Sequence, residues 1–459
     1  MTLNKSHQLE FLISNYPLNG VELDVAGIVL DYMVKFDCTL YDVYKKNHDL
    51  LGYIDDVDLY RLLRCKCGDE LKEKIPYLLA RFDGVANDIK RRLEQIQLQY
   101  MSKNEMIKNI HDESRAVVWQ LSDIHFGKLN KLGYLPKDMA AILRVAYQKY
   151  DDLRPDILIV SGDLTSASTD QEYEQFYEFI DSFASGLWGN EYSSRVLVVP
   201  GNHDIKWGDD GCADRMKSFI ENVSDRGYCI TPFGEKYEDL EGGDVLVQRY
   251  NDDLSVDPSI AMVRYEKLSL EFVLLVSGYF SYEIPLAVRN VMGAASTSED
   301  LSDILRIDEG QMSQNYISFL EELPNSNALR FAVMHHNPVQ YSVDCCKCSH
   351  ATLLLARLKE QGINLLLHGH VHLQEDLTNS RNLYTDASAY PVPAPTLSSY
   401  PTAGQNGFSI HFVGKKNSDS ERVSTAYWPM STKHEFRKEM LSLRFQFTVE
   451  NGTLHLIHR

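Results

Sequence analysis

The chain has 459 residues, 44% of them hydrophobic, with 46 Lys and Arg against 65 Asp and Glu and a formal net charge of -19. That length exceeds one ordinary domain and that apolar content excludes a disordered chain, so one large domain with extensions is expected. The acidic excess opposes tight, non-specific binding to long nucleic acids, which needs a basic footprint, without excluding a local basic groove.

The first residues, MTLNKSHQLEFLISNYPLNG, lack the basic start and long apolar core of a signal peptide. The apolar runs further on are shorter than the ~20 residues a membrane helix needs. A cytoplasmic protein without membrane contact is therefore expected, with its 8 Cys as reduced thiols. Residues 1–112 read as a helical N-terminal region. Val25, Ile28, Val29, Tyr32 and Met33 recur at helical spacing, and so do Leu78, Phe82, Val85, Ile89, Leu93, Ile96 and Tyr100. That stripe suits packing within its own domain, or an oligomer or partner contact.

From residue 117 the pattern changes to short β-branched runs separated by helical stretches. Strands are expected at 117–121, 157–160, 196–199, 272–276, 331–334 and 365–367, and helices at 138–150, 171–182, 312–323 and 352–361. The alternation argues α/β architecture with helices over buried strands. Residues 205–268 and 283–310 lack a clear period and read as insertions. The run Pro391-Val392-Pro393-Ala394-Pro395 reads as a loop. Strands at 408–413 and 441–449, then an Asn451-Gly452 turn into 453–457, complete a β-rich C-terminal extension over 413–459. The large domain between the extensions spans 113–412.

Five short segments follow the apolar runs: Asp123-Ile124-His125, Gly162-Asp163, Gly201-Asn202-His203-Asp204, His335-His336 and Gly369-His370-Val371-His372. Carboxylate, amide and imidazole groups at strand ends can hold two divalent cations. The mixture suits Mn, Fe, Zn or Co better than Ca, which takes oxygen alone, with Mg a further option. Asp123 and His125 are two apart, so an extended backbone puts both on one side. His370 and His372 repeat that spacing. Asp163 carries two oxygens and can bridge. Glycines 162, 201 and 369 let the chain turn sharply at strand ends. Two such ions activate water and hold the oxygens of an in-line phosphoryl displacement. His203 is the candidate proton donor to the leaving group, with Asp204 orienting its ring.

In this order the segments resemble the calcineurin-like metallophosphoesterase superfamily, over roughly residues 115–412. The resemblance implies a four-layer αββα sandwich of two mixed β-sheets and a phosphoesterase acting on a phosphoester substrate, by preference a phosphodiester. It places Asp123, His125 and His372 on the first metal, Asp163 as the bridge, Asn202, His335 and His370 on the second, and His203 as the catalytic histidine. Either His335 or His336 can be the ligand. His335 comes first after its strand and is preferred, leaving His336 as a substrate contact. A DNA or RNA nuclease of the same superfamily is the nearest alternative. A scaffold with a vestigial metal site is an alternative of another class.

Several residues invite other readings. Cys345-Cys346-Lys347-Cys348-Ser349-His350 has zinc-like composition but the wrong spacing, and reads as a thiol-bearing loop near the site. Cys65-Lys66-Cys67 is weaker still. Trp207 suits plain packing more than base stacking. Lys128 and Lys206 could meet a substrate phosphate.

Overall fold

Strand β1 (Ser114–Leu121) shows how the layers are built, because successive side chains leave it on opposite faces. Trp119 points to one side, where its ring stacks on Phe183 at 5.7 Å and its indole N–H donates to Leu153 O at 2.8 Å. Gln120 points the other way and donates to His368 O at 3.3 Å. The first face meets helices, and the second meets another sheet.

The computed structural model describes residues 110–206, 212–232, 241–242, 244–250, 257–279, 310, 312–339, 348–371, 389–401, 405–414, 420–450 and 453–458. The chain divides in the main into two units, Met1–Met106 and Ile107–Ile457, and the described residues belong almost wholly to the second. The helical reading of the N-terminal region, Cys65, Cys67, Trp207, Cys345, Cys346, most of 283–310 and the Asn451-Gly452 turn lie outside the described residues.

The chain runs from β1 through α1 (Pro136–Lys149), β2 (Ile157–Ser161), α2 (Asp170–Trp188), β3 (Val196–Val199), α3 (Cys212–Val223) and β4 (Cys229–Ile230). Then come β5 (Glu241–Gly242), β6 (Val245–Tyr250), β7 (Ile260–Tyr265), β8 (Leu270–Leu274), α4 (Gln314–Ser318) and β9 (Leu329–Val333). Helix α5 (Ala351–Glu360), β10 (Ile363–His368), β11 (Tyr390–Pro393), β12 (Gly407–Gly414), β13 (Ser420–Pro429), β14 (Ser442–Glu450) and β15 (Thr453–His458) complete it. Among the described residues one sheet has eight strands, ordered β15-β14-β13-β12-β1-β2-β3-β4, and the other seven, ordered β11-β10-β9-β8-β7-β6-β5. In the first, β1 to β4 run parallel and β12 to β14 antiparallel. In the second, β8 to β11 run parallel and β5 to β8 antiparallel. Both sheets are thus mixed, as the resemblance implies.

Helices close both outer faces. Tyr147 of α1 and Phe183 of α2 lie against Trp119. Tyr316 and Ile317 of α4 and Leu354 and Leu358 of α5 share a buried cluster with Met262, Val273, Ala332 and Leu366 of the second sheet. Between the sheets, Tyr265 donates to Ser194 O at 2.8 Å, and the ring of Tyr390 packs on Phe447 at 5.0 Å. Strands covered on both faces explain why β2, β3 and residues 365–367 of β10 read as apolar runs.

Two expectations change. Residues 205–268, expected as an insertion, supply β4 to the first sheet and β5 to β7 to the second, because β4 and β5 have only two residues each, too few to show a period. Three of the five residues of the 391–395 run, 391–393, are not loop but strand β11 at a sheet edge, the position where proline's missing N–H is tolerated. The C-terminal segment is β-rich, as expected, and β13 to β15 extend the first sheet beyond β12.

Candidate metal centre

All five segments leave the C-terminal ends of parallel strands: β1, β2 and β3 in the first sheet, β9 and β10 in the second. Backbone bonds lace the loops together. Asp123 N donates to Gly162 O at 3.1 Å, and His125 N to Asp163 O at 2.9 Å. His203 N donates to Asp163 Oδ1 at 2.9 Å, and His370 N to Asp123 Oδ2 at 3.2 Å. The sharp turns place Asp123, His125, Asp163 and His370 at φ of 53°, 52°, 55° and 70°. Non-glycine residues held there cost about 1 kcal/mol or more each, so the surrounding structure enforces the geometry.

Asp163 sits at the middle. Its Oδ2 lies 3.5 Å from His125 Nε2 and 3.3 Å from His335 Nε2, facing one imidazole on each side. His335 Nε2 is also 3.1 Å from Asn202 Oδ1, while its Nδ1 lies 2.8 Å from Ser161 O. Nδ1–H donates to that carbonyl, which leaves Nε2 as the ligand atom, a common second contact of a metal-bound histidine. Two donors each about 2.1 Å from one cation stand roughly 3.0–3.5 Å apart, so these separations fit a metal. Among the described residues, donor atoms within 4.8 Å of one another form two groups, His125 with Asp163 and His203, and Asp163 with His335 and His370. Asp163 belongs to both. His372 lies outside the described residues.

Electrostatics match that arrangement. Burial pushes the Asp163 carboxyl up, but the imidazoles of His335, His203 and His125 outweigh it and hold it well below the usual carboxylate range. Burial likewise pushes His335 down, yet the Asp163 charge lifts it to about 9. A proton there balances the buried carboxylate, a charge role a bound cation can take over.

The glycines act differently from the expectation of sharp turns at all three. Only Gly162, at φ +93°, uses a left-handed conformation. Gly201, at φ -98°, has an ordinary backbone; a Cβ there would stand 2.1 Å from Asp163 Oδ1. At Gly369 a Cβ would stand 1.9 Å from Ser122 Oγ. Both provide room.

His203 is half-buried, whereas Asp123, His125, Asp163, Asn202 and His335 are buried. Its Nδ1 lies 3.1 Å from Ser166 O. The expectation that Asp204 orients this ring gives way. The fully buried Asp204 carboxylate accepts from Gly201 N, Leu164 N, Thr165 N and Thr165 Oγ1, at 2.9 to 3.1 Å. It ties the β2 and β3 loops together, and burial plus the Asp163 charge push it up to about 6. His336 is also placed differently from a substrate contact. It is fully buried, with Nδ1 3.0 Å from Ser277 Oγ and its ring 4.8 Å from His370, where it supports the ligand histidines.

Lys128 and Lys206 are exposed. Cys348 is buried, its Sγ 3.9 Å from Met312 Sδ. Sequence reasoning missed Ser161, Ser166 and Ser277. The first two act through backbone carbonyls, which no motif records.

Three comparisons bear on the chain. The sequence model of the family described as calcineurin-like phosphoesterase matches residues 116–374. A curated protein named probable glycerophosphodiester phosphodiesterase GpdQ, from Arcobacter nitrofigilis, is 31% identical over 90 residues, 19% of this chain. The match covers only 30% of that relative's length. A solved structure described as GAP50, the anchor in the inner membrane complex of Plasmodium, aligns over 72% of this chain and 90% of its own, at 10% identity and a TM-score of 0.33.

Proposed function

The chain belongs to the calcineurin-like phosphoesterase family, and on that premise we propose that it hydrolyses a phosphodiester at a dimetal centre, with His203 as proton donor. The observation that carries this is the single Asp163 oxygen held between His125 Nε2 and His335 Nε2, at 3.5 and 3.3 Å. In this reading Asp123, His125, Asp163 and His372 would hold one ion, and Asp163, Asn202, His335 and His370 the other. When bound, divalent ions supply Lewis-acid polarisation of phosphoryl oxygens and a water acidified toward neutrality. Mixed nitrogen and oxygen donors suit Mn²⁺, Fe, Zn²⁺ or Co²⁺, and Mn²⁺ is the ion proposed.

The chain's own groups account for the rest. Asp163 keeps its negative charge between the two histidine groups. The Ser166 carbonyl fixes the ring of His203 through Nδ1, so its other nitrogen can protonate the departing oxygen. Its partial exposure suits a group that must meet substrate. The phosphodiester preference draws support from the printed name of the 90-residue match. A cytoplasmic location draws support from the free thiols of Cys229 and Cys348. The N-terminal region is proposed to recruit a partner or to build an oligomer.

The test is turnover by the Mn²⁺-loaded full chain on bis-p-nitrophenyl phosphate, p-nitrophenyl phosphate and labelled DNA. Fastest turnover of the first is expected. Preference for DNA favours a nuclease. No turnover at full metal content by elemental analysis would overturn the enzymatic reading in favour of a scaffold.

A further inference from the structure

Gln120 lies fully buried beneath the centre, between the two sheets. Its Nε2 donates to Ser161 Oγ at 3.0 Å and to His368 O at 3.3 Å. Those atoms end β2 and β10, strands of different sheets, just before the segments that carry Asp163 and His370. Both amide protons are used. The same Ser161 offers its carbonyl to His335 Nδ1. One carboxamide thus joins the two strand ends from which the ligand groups depart.

That carboxamide works in one orientation only. Flipped, its oxygen would face the His368 carbonyl. The orientation is set from outside the site: Oε1 lies 3.0 Å from His411 Nε2, and His411 Nδ1 lies 2.9 Å from Thr425 Oγ1. Because Gln120 Nε2 is spent on two acceptors, Oε1 is the acceptor. His411 must then carry its proton on Nε2 and accept from Thr425 on Nδ1, a tautomer assigned from the network. Donation runs one way, from Thr425 through His411 and Gln120 to Ser161 and His368. Every member is buried, at 2% exposure or less. Burial pushes the His411 imidazole down to about 3, which keeps it neutral near pH 7. His411 and Thr425 lie on β12 and β13, beyond residue 374 where the family match ends.

We propose that Gln120, held by His411 and Thr425, is a positioning residue that fixes the spacing between the two halves of the metal-ligand set. The inference rests on the dimetal reading above. It makes the C-terminal strands part of the working centre, since a loose carboxamide lets the ends of β2 and β10 separate and spreads donors that must stay within hydrogen-bonding range.

Mn²⁺ affinity of the full chain, read by calorimetric titration beside thermal unfolding of the metal-free form, tests this. Outer partners of metal ligands typically change affinity 10- to 100-fold, so Thr425→Val and His411→Phe should weaken binding by about tenfold. His411→Gln keeps an N–H for Gln120 Oε1 and should stay within about threefold of the unmodified chain. Ser424→Ala removes a buried bond from Gln446 Nε2, 2.9 Å, on the same strand but off this network, and should lose stability without losing affinity. Should His411→Phe fail to fold, Thr425→Val carries the test alone. Unmodified affinity in Thr425→Val, or equal weakening in Ser424→Ala, overturns the proposal. Absence of Mn²⁺ binding by the unmodified chain would overturn the metal centre itself, and this inference with it.

Discussion

Asp163 shows how much a single residue can be asked to do. It holds a left-handed backbone conformation, accepts from His203 N, and faces two imidazoles with one oxygen. Such crowding leaves no room for a neighbour's side chain. Gly201→Ala should therefore displace the carboxylate and lower Mn²⁺ content below that of the unmodified chain, read by elemental analysis, because its Cβ would stand 2.1 Å from Asp163 Oδ1. Full metal content in that variant would show that the loop can yield. His203 makes a different prediction, since its contribution is to rate. His203→Ala should keep the metals yet lose about 10²–10⁴-fold in kcat on esters with poor leaving groups. Esters of p-nitrophenol, whose leaving group needs no proton, should suffer less, and equal losses on both would remove the proton-donor role.

At the scale of the element, the segment from Asp163 to α2 carries both function and a helix start. Thr169 caps α2: its side chain accepts from Glu172 N at 3.3 Å, and Glu172 Oε2 reaches back to Thr169 N at 3.2 Å and Ala167 N at 3.0 Å. Thr169→Ala should lower stability to urea by about 1 kcal/mol. Metal content should not change, since Asp204 anchors the Asp163 loop independently, through Leu164 N and Thr165 N. From sequence this helix is expected at 171–182 without a marked cap, whereas in the structure Thr169 caps a helix that starts at Asp170. Likewise, Gly201-Asn202-His203-Asp204 marked a site plainly, while the partners of each side chain depended on which strand end lay beside it.

For the whole molecule, buried imidazoles oppose one another. His411 and His368 are pushed down to about 3 by burial, so between about pH 6.5 and 3 the unfolded chain binds more protons and stability falls as the pH falls. Each contributes a slope of up to about 1.4 kcal/mol per pH unit. His335 is raised to about 9, so its contribution is full below its ordinary value of 6.5 and is lost as the pH rises through 9. Metal-free protein should thus be most stable near pH 6.5 in a thermal melt. Saturating Mn²⁺ should remove the alkaline decline, and His411→Gln should flatten the acidic one. A metal-free melt that rises steadily from pH 6.5 to 9 would contradict the His335 assignment.

The sequence by itself determined the chemistry and its address. Short apolar runs ending in Asp, Asn and His specify buried strands with ligands at their ends, because strand propensity and donor type are local properties of residues. It also fixed the two-sheet α/β class through the family those motifs mark. Only the tertiary structure decided that residues 205–268 belong to the sheets, that β13 to β15 extend the first sheet, and that Asp204 binds loops rather than the His203 ring. Those outcomes turn on pairing between segments as far apart as Gln120 and His411, and the free energy of such contacts resides in the assembled interior rather than in any stretch of chain.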